Sequence, residues 1–237
     1  MGARGLMGSD SMLNALDREG YLIVPRIMSS SQVVETCEAV ESLLLACPSA
    51  GVRDLANKVP YIRSLAESPT VRALVEPVLG PHARLIRSVL FNKSQEVNWQ
   101  VAWHQDLTIA VQSQSEVQGF VGWSVKEGVV HVQPPVNILE QMLTVRLHLD
   151  PTDETNGALW VSPGSHHLGR LPSQAAAEVA DRQGKIMCAV QAGGALLFRP
   201  LLLHASRKAV SDSPRRVVHL EFTRAILPEP LAWHEAV

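Results

Sequence analysis

The first third of the chain carries apolar residues at helical spacing. Ser29 and the glutamine three residues later form a capping-box pattern, and apolar positions recur behind them every three or four residues. This pattern predicts a helix that ends at Cys47-Pro48. A second helix is predicted over residues 69–79, with Ser68 as its N-cap and Gly80-Pro81 as its end.

From residue 84 onward the pattern changes to short runs rich in apolar and β-branched residues. Turns containing Asn, Asp, Pro and Gly separate these runs. Together with one run near the N-terminus, the predicted strands are 21–24, 85–91, 143–149, 158–161, 186–190, 195–198 and 216–222. Because no helix is predicted between the later strands, the pattern favours an antiparallel sandwich or jelly roll over a doubly wound sheet.

These elements fit a single domain that is mainly β with N-terminal helices. Residues 1–12 are expected to form a loose tail, and residues 13–237 form the domain. Within it, residues 13–82 make the helical part and residues 84–225 the jelly-roll core. Residues 107–141, rich in Gln, Gly and Val, are expected to form a long loop that acts as an active-site lid.

Composition narrows the class of protein further. With 237 residues, of which 46% are hydrophobic and 19% charged, the chain can bury a sizeable core. The net charge of −2 argues against a nucleic-acid binder. The longest apolar stretch, residues 195–203, is too short to span a bilayer, and the first residues lack the apolar segment of a secretory signal. The three cysteines include no C-x-x-C pair, which argues against a thiolate zinc site and favours a reducing cytoplasm.

One small group of residues carries metal chemistry. His104 and Asp106 are two positions apart, so in extended chain both side chains point to the same side and reach one ion. His204, at the end of a strongly apolar run, is the best third ligand. Two histidines and one carboxylate leave adjacent coordination positions free, which suits non-haem Fe(II) and oxygen chemistry. Arg215, eleven residues further on, would hold a dicarboxylate cosubstrate through its planar fork.

Longer motifs surround these residues. Residues 156–166 read N-G-A-L-W-V-S-P-G-S-H, and residues 20–25 read G-Y-L-I-V-P. The H-x-D motif begins at His104, and His204 is followed by an arginine after a ten-residue gap. On these residues the chain resembles the phytanoyl-CoA dioxygenase family of Fe(II)- and 2-oxoglutarate-dependent oxygenases, over about residues 13–225.

The resemblance implies a double-stranded β-helix, a cupin-like jelly roll, in which His104, Asp106 and His204 bind Fe(II). It also implies that Arg215 pairs with the distal carboxylate of 2-oxoglutarate. Arg216 stays open as the alternative anchor, because a one-residue slip moves every side chain of a strand to the other face.

Further polar residues are candidates for contacts in the pocket. The resemblance assigns Asn92 a contact to the cosubstrate, with Ser88 on the same strand face. His219 and Glu221 share the face of Arg215 and either line the pocket or form a cross-strand pair. The candidate substrate contacts, most of them in or beside the predicted lid, are Trp103, Gln105, Trp123, Lys126, His131, Arg146 and His148.

The implied reaction is hydroxylation of a small or medium-sized organic substrate by O2 and 2-oxoglutarate, with release of succinate and CO2. Asp106 as a ligand favours hydroxylation or desaturation, because related halogenases lack this carboxylate. A cupin-like non-oxidative metal enzyme and a β-sandwich with a vestigial metal site are the alternatives. The sequence leaves the substrate and the oligomeric state open; Arg84, Arg87 and Lys93 fit either a site for CoA phosphates or ordinary surface charge.

Overall fold

The computed structural model of the protein describes residues 9–46, 51–94 and 97–235. Its helices are α1 (Ser9–Glu19), α2 (Ser30–Ala46), α3 (Leu55–Lys58), α4 (Pro60–Glu67), α5 (Pro69–Leu79), α6 (Val136–Leu139) and α7 (Ala176–Gln183). Its strands are β1 (Tyr21–Val24), β2 (Gly51–Arg53), β3 (Arg84–Lys93), β4 (Val101–His104), β5 (Ile109–Val111), β6 (Val121–Lys126), β7 (Val129–Gln133), β8 (Met142–His148), β9 (Leu159–Val161), β10 (Ile186–Cys188), β11 (Ala195–Phe198), β12 (His204–Ser206) and β13 (Arg215–Thr223).

Two of the N-terminal helices begin at polar caps. The Ser29 N–H donates to Gln32 Oε1 at 2.9 Å, and Ser29 Oγ accepts from the Gln32 N–H at 3.2 Å. Ser68 Oγ accepts from the Val71 N–H at the start of α5. The predicted capping box and the predicted helix 69–79 are therefore confirmed. The predicted end of α2 at Cys47-Pro48 lies outside the described residues.

The expected loose tail of residues 1–12 is wrong from Ser9 onward. Helix α1 begins there, and residues 1–8 lie outside the described part of the chain. Met12 and Leu16, one helical turn apart, are both buried in the main apolar core. Burial of this apolar pair stabilises α1, which begins four residues before the predicted start of the domain at Leu13.

Two antiparallel sheets form the body of the protein. The larger has six strands in the order β1-β11-β8-β13-β3-β2, and the smaller has four in the order β10-β9-β12-β4. Side chains of both sheets line one cavity between them, so the sheets face each other as in a jelly roll. Each predicted strand is present, with small differences in its bounds.

Alternate residues of the larger sheet enter different environments. One face packs under the N-terminal helices, with the strand residues Leu90, Val145, Leu147, Leu197, Val218 and Leu220 in that apolar core. The other face points between the sheets and carries Lys93, Thr144, Arg146, His148, Arg215 and His219, all of them buried. The two-residue period of a strand thus separates the face packed under the helices from the face that carries most of the sheet's buried charged groups.

The predicted lid over residues 107–141 is not a structureless loop. It folds into a three-stranded sheet in the order β5-β7-β6, followed by α6. Glu127 and Gly128 join β6 to β7 with φ angles of 52° and 82°, the positive values that a tight two-residue hairpin requires. Strand β6 is mostly exposed but does carry an apolar alternation, which the prediction of a loop overlooked, at Val121, Trp123 and Val125.

No helix within the described ranges is both long and apolar enough to cross a membrane. Cys37 and Cys188 are free thiols, and Cys47 lies outside the described residues.

Candidate active site

The three predicted metal ligands come together at one end of the smaller sheet. His104 ends β4 and is paired in register with His204 at the start of β12. The Asp106 N–H donates to the Pro200 carbonyl at 2.9 Å, which holds the carboxylate beside both rings. Asp106 Oδ1 lies 3.8 Å from His104 Nε2, and Oδ2 lies 3.6 Å from His204 Nε2. All three ligand atoms lie within 4.8 Å of one another, as binding of one metal ion requires.

The rings are held in the orientation that a metal requires. His104 Nδ1 lies 2.9 Å from the Ala102 carbonyl, and His204 Nδ1 lies 2.9 Å from the Leu202 carbonyl. A carbonyl oxygen only accepts, so both Nδ1 atoms carry the proton and donate it. Each Nε2 therefore presents its lone pair toward Asp106.

The charge state of the cluster also fits a divalent cation. Burial opposes ionisation of Asp106, but His204 and His104 beside it lower its pKa to about 2. Burial lowers the pKa of His204 to about 4. At neutral pH the cluster therefore holds an ionised carboxylate beside a neutral His204 imidazole, as metal ligation requires.

Behind the cluster lies a cavity of about 200 Å³, here called the inner chamber. Its wall includes Phe91, Trp99, Arg146, His204, Arg215 and His219. Arg215 is buried and donates through Nη1 to the Gly157 carbonyl at 2.8 Å. Its Nε is buried and has no hydrogen-bond partner among the described residues. An anionic ligand in the chamber would supply the hydrogen-bond acceptor that this Nε lacks within the protein.

Strand register places the two arginines on opposite faces of β13. Arg216 points to the opposite face of β13, where its Nε and Nη2 contact the two oxygens of Asp150 at 2.9 and 2.8 Å. This bidentate ion pair uses the guanidinium N–H groups that a cosubstrate carboxylate would need. Arg215 alone of the two reaches the inner chamber.

The same register contradicts the prediction for Ser88 and Asn92. Asn92 pairs with Arg216 across β3 and β13, and Ser88 pairs with Leu220, so both lie on the face turned away from the chamber. Ser88 Oγ accepts from the Ala56 N–H at 2.7 Å and contacts Glu235. The sequence showed that these two residues share a face but not which face is the inner one.

A chain of hydrogen bonds runs along the wall of the inner chamber. Arg146 Nη1 donates to His219 Nδ1 at 3.2 Å, and His219 Nε2 then donates to Glu221 Oε1 at 3.0 Å. Arg87 Nη1 donates to the same carboxylate oxygen at 3.0 Å. Both alternatives left open for His219 and Glu221 are therefore realised, since His219 lines the chamber and Glu221 pairs with Arg87 across the strands.

On the other side of the cluster lies a larger cavity of about 370 Å³, here called the outer chamber. Arg87, His104 and Asp106 line both chambers and His204 lines the inner one, so the candidate metal ligands lie where the two chambers meet. Other parts of the outer wall are Leu107, Thr108, Lys126, Gln133, Leu171 and Leu203. The three-stranded sheet β5-β7-β6, here called the lid sheet, supplies Lys126 and Gln133 to this wall.

Three of the seven predicted substrate contacts line one of the two chambers. Lys126 and Gln105 line the outer chamber, and Arg146 lines the inner one. The amide of Gln105 also ties loops together, because Nε2 donates to the Gly169 and Leu201 carbonyls at 2.7 Å each.

The remaining predicted contacts lie outside the walls of both chambers. Trp103 packs beside α7, and Trp123 packs against the core of the lid sheet. His131 is buried with Nδ1 3.0 Å from the Val129 carbonyl, and burial lowers its pKa to about 4. His148 lies on the inner face with Nδ1 3.4 Å from Thr152 Oγ1.

The matching family model is that of phytanoyl-CoA dioxygenase (PhyH), and it covers residues 16–217. The chain belongs to the phytanoyl-CoA dioxygenase family. This confirms the resemblance and, with it, the enzyme class expected from the sequence. The ectoine dioxygenase of Sphingopyxis alaskensis is 25% identical over 239 residues, which span 85% of this chain and 71% of that protein.

Solved structures agree on the fold. The crystal structure of EctD from S. alaskensis with 2-oxoglutarate and 5-hydroxyectoine matches with a TM-score of 0.71, at 20% identity over 94% of this chain and 78% of that one. SnoK, a non-heme α-ketoglutarate-dependent carbocyclase from nogalamycin biosynthesis, matches with a TM-score of 0.70, at 18% identity over 92% of this chain and 87% of that one. The predicted jelly roll is thereby confirmed.

Some wall residues of this phytanoyl-CoA dioxygenase family member were not found from the sequence. Phe91 is two positions before Lys93 on β3 and therefore shares its inward face. This two-residue spacing could have identified Phe91 from the sequence. Trp99 and Arg53 had no comparable signal, because Trp99 lies outside regular structure and Arg53 ends a three-residue strand. Trp99 lies beneath Arg215, whose guanidinium carbon is 5.7 Å from the ring centre.

Proposed function

We propose that this protein is an Fe(II)- and 2-oxoglutarate-dependent dioxygenase that hydroxylates a small or medium-sized organic substrate and releases succinate and CO2. The observation that carries the proposal is the cluster of His104, Asp106 and His204, whose ligand atoms lie within 4.8 Å of one another beside the inner chamber, with His104 and Asp106 also lining the outer one. A buried Arg215 with an unsatisfied Nε stands in the inner chamber, within the same cavity wall.

In this proposal each residue has a separate role. Bound Fe(II), with 2-oxoglutarate, supplies the activation of O2 for attack on a C–H bond. His104, Asp106 and His204 would be its ligands, with their donor atoms held in advance by backbone hydrogen bonds. Arg215 would bind the distal carboxylate of 2-oxoglutarate and so orient the keto acid toward the three ligands.

The inner chamber would also exclude water from the cosubstrate. Phe91 and Trp99 cover its wall, and Arg146 lies over the Phe91 ring with its guanidinium carbon 5.2 Å from the ring centre. A cation held in such a low-dielectric wall attracts a carboxylate more strongly than one in water does. Arg146 is therefore a second positive group that favours the dianionic cosubstrate.

We further propose a cytoplasmic location. The proposal rests on cysteine usage: Cys37 and Cys188 form no disulfide in the described part of the chain, as is usual in a reducing compartment. Burial raises the pKa of the Cys188 thiol to about 12, so this cysteine has no metal-binding or nucleophilic character.

The test is an anaerobic titration of the protein with Fe(II) and 2-oxoglutarate, followed by visible absorption. A keto acid that chelates ferrous iron gives a weak metal-to-ligand charge-transfer band. The band is expected in the wild type, lost in His104→Ala and shifted to higher 2-oxoglutarate concentrations in Arg215→Ala. Arg216→Ala is the matched control, because it removes a neighbouring arginine that points away from the chamber.

No band at saturating reagents, in protein that is shown to be folded, would overturn the proposed function. The cupin-like non-oxidative enzyme and the vestigial site would then be the remaining alternatives. Equal effects of Arg215→Ala and Arg216→Ala would refute the role given to Arg215 while leaving the metal centre intact.

A further inference from the structure

The outer chamber has an unbalanced charge. Lys126 and Arg87 are the cationic side chains of its wall, and Asp106 is the carboxylate among the lining residues. Asp106 is directed at the two histidines, with its oxygens 3.8 and 3.6 Å from their Nε2 atoms. Once Asp106 serves the metal centre, the lining residues of this chamber offer Lys126 and Arg87 no acidic partner.

Lys126 is the less constrained of the two. It is the last residue of β6, and in the described part of the chain it makes neither an ion pair nor a hydrogen bond. Its pKa is lowered by partial burial and by the like charges of Arg87 and Arg53 nearby. A cation placed close to other cations favours an anion that relieves the repulsion.

Arg87 faces the chamber with part of its guanidinium uncommitted. Its one hydrogen bond among the described residues runs from Nη1 to Glu221 Oε1. That contact fixes the orientation of the side chain, since Glu221 is itself held by His219. An arginine held along one edge presents its remaining N–H groups as a preorganised donor.

The rest of the wall suits a small organic body. Leu107, Leu171, Ala176 and Leu203 provide apolar surface, and Thr108, Gln133 and Ser173 add polar groups. The cavity volume of about 370 Å³ lies at the small end of the range for ligand pockets.

We propose that the substrate of this oxygenase carries an anionic group, which Lys126 and Arg87 bind in the outer chamber while its apolar body lies toward the metal ligands. The inference rests on the proposed function, because it assigns the inner chamber to 2-oxoglutarate and the outer chamber to the substrate. It is a statement about substrate class, since a neutral or cationic substrate would leave Lys126 without an anionic partner and the remaining N–H groups of Arg87, whose Nη1 is bound to Glu221, without an acceptor.

The experiment is isothermal titration calorimetry on the full-length protein, loaded anaerobically with Fe(II) and 2-oxoglutarate. The probes are benzoate, phenylacetate and phenyl phosphate, with the uncharged benzamide and phenylacetamide as shape-matched partners. We expect at least one anion to bind about tenfold or more tightly than its uncharged partner. Comparison of the carboxylates with phenyl phosphate identifies which anionic group the chamber prefers.

Two lysine variants localise the binding. Lys126→Gln is expected to weaken the anion about tenfold or more and to leave the amide unchanged. Lys208→Gln, which alters an exposed lysine outside the chamber, is the matched control and should bind both probes as the wild type does.

Three results would overturn the inference: amides that bind as well as anions, anion affinity that survives in Lys126→Gln, or no anion binding at all. The charge-transfer band separates this failure from failure of the proposed function. If the band is present and the anions show no preference, only the substrate class is wrong. If the band is absent, the proposed function falls and the inference falls with it.

Discussion

On strand β13, Val218 and Leu220 point into the apolar core beneath the N-terminal helices, whereas Arg215 and His219 point between the sheets. The two sets alternate along one strand, whose backbone pairs with β3 on one side and with β8 on the other. The apolar set stabilises the fold by leaving water. The polar set brings charges into a region where each one costs desolvation energy unless it is paired.

This difference separates stability from function within a single sheet. The face packed under the N-terminal helices, here called the outer face, anchors the strands. The inner face uses the fixed spacing of the strands to hold buried charged side chains, which are energetically unfavourable when no ligand is bound. Substitutions on the two faces test that division.

The largest effect on stability is expected on the outer face. Leu220→Ala leaves a cavity beside Leu90 and Val145 and should lower the free energy of unfolding by about 3 kcal/mol. Urea unfolding followed by circular dichroism measures this loss. Ile226→Ala removes an exposed side chain and should change stability by no more than about 0.5 kcal/mol. A loss at Leu220 as small as that at Ile226 would break the comparison.

The inner face should respond in the opposite way. Arg215→Met keeps the bulk of the side chain but removes a buried charge, so stability should stay within about 1 kcal/mol of the wild type or rise. Affinity for 2-oxoglutarate, measured from the charge-transfer band, should fall about 100-fold. Arg216→Met should leave this affinity unchanged, because its partner is Asp150. Severe unfolding of Arg215→Met would show that the inner face also carries the fold.

Glu235 is a buried acid on the outer face of the larger sheet, where it contacts Ser88. Burial raises the pKa of Glu235 to about 7, against the opposing effect of two contacts from Ser88. The folded chain therefore binds this proton more tightly than the unfolded chain, so stability falls as pH rises from about 5 to above 7. The contribution is on the order of 2 kcal/mol.

Glu235→Gln should abolish this part of the pH dependence. The glutamine amide donates to Ser88 Oγ as the protonated acid would, while Ser88 Oγ keeps its bond from the Ala56 N–H. Thermal unfolding between pH 5 and pH 8 provides the measurement. A variant that remains less stable than the wild type at pH 8 would contradict the assignment.

The smallest effect is expected at Lys93, a buried inner-face lysine. Burial and the nearby charges of Arg215 and Arg146 lower its pKa to about 7. The unfolded chain binds this proton more tightly, so stability should rise as pH increases from about 7 to 9. Lys93→Met should remove that rise and add about 1 kcal/mol at pH 7, measured by urea unfolding. An unchanged pH profile would show that Ser206 Oγ and the Arg207 carbonyl fully compensate the buried ammonium.

The sequence pointed to the candidate metal cluster through the local H-x-D spacing and, more strongly, through the resemblance to the family. His104 and Asp106 are two residues apart, and His204 follows an apolar run that marks a buried strand. The predicted N-caps at Ser29 and Ser68 were accessible for the same reason, since a cap needs only residues within one helical turn. The lid sheet was not predicted, although β6 has an apolar residue at every second position, because the Gln and Gly residues between its short strands favour a loop.

Which side chains share a strand face follows from the sequence alone, since a strand has a period of two whatever surrounds it. The sequence also carries the motifs of the phytanoyl-CoA dioxygenase family and, through that resemblance, the candidate metal ligands His104, Asp106 and His204. Which face turns inward depends on tertiary packing, because both faces of the larger sheet are buried and local pattern cannot rank them. That choice put Arg215 rather than Arg216 in the chamber, turned Ser88 and Asn92 away, and brought Lys126 of the lid to Arg87 of β3. Each of these outcomes depends on contacts between residues far apart in the chain, which register and packing establish together.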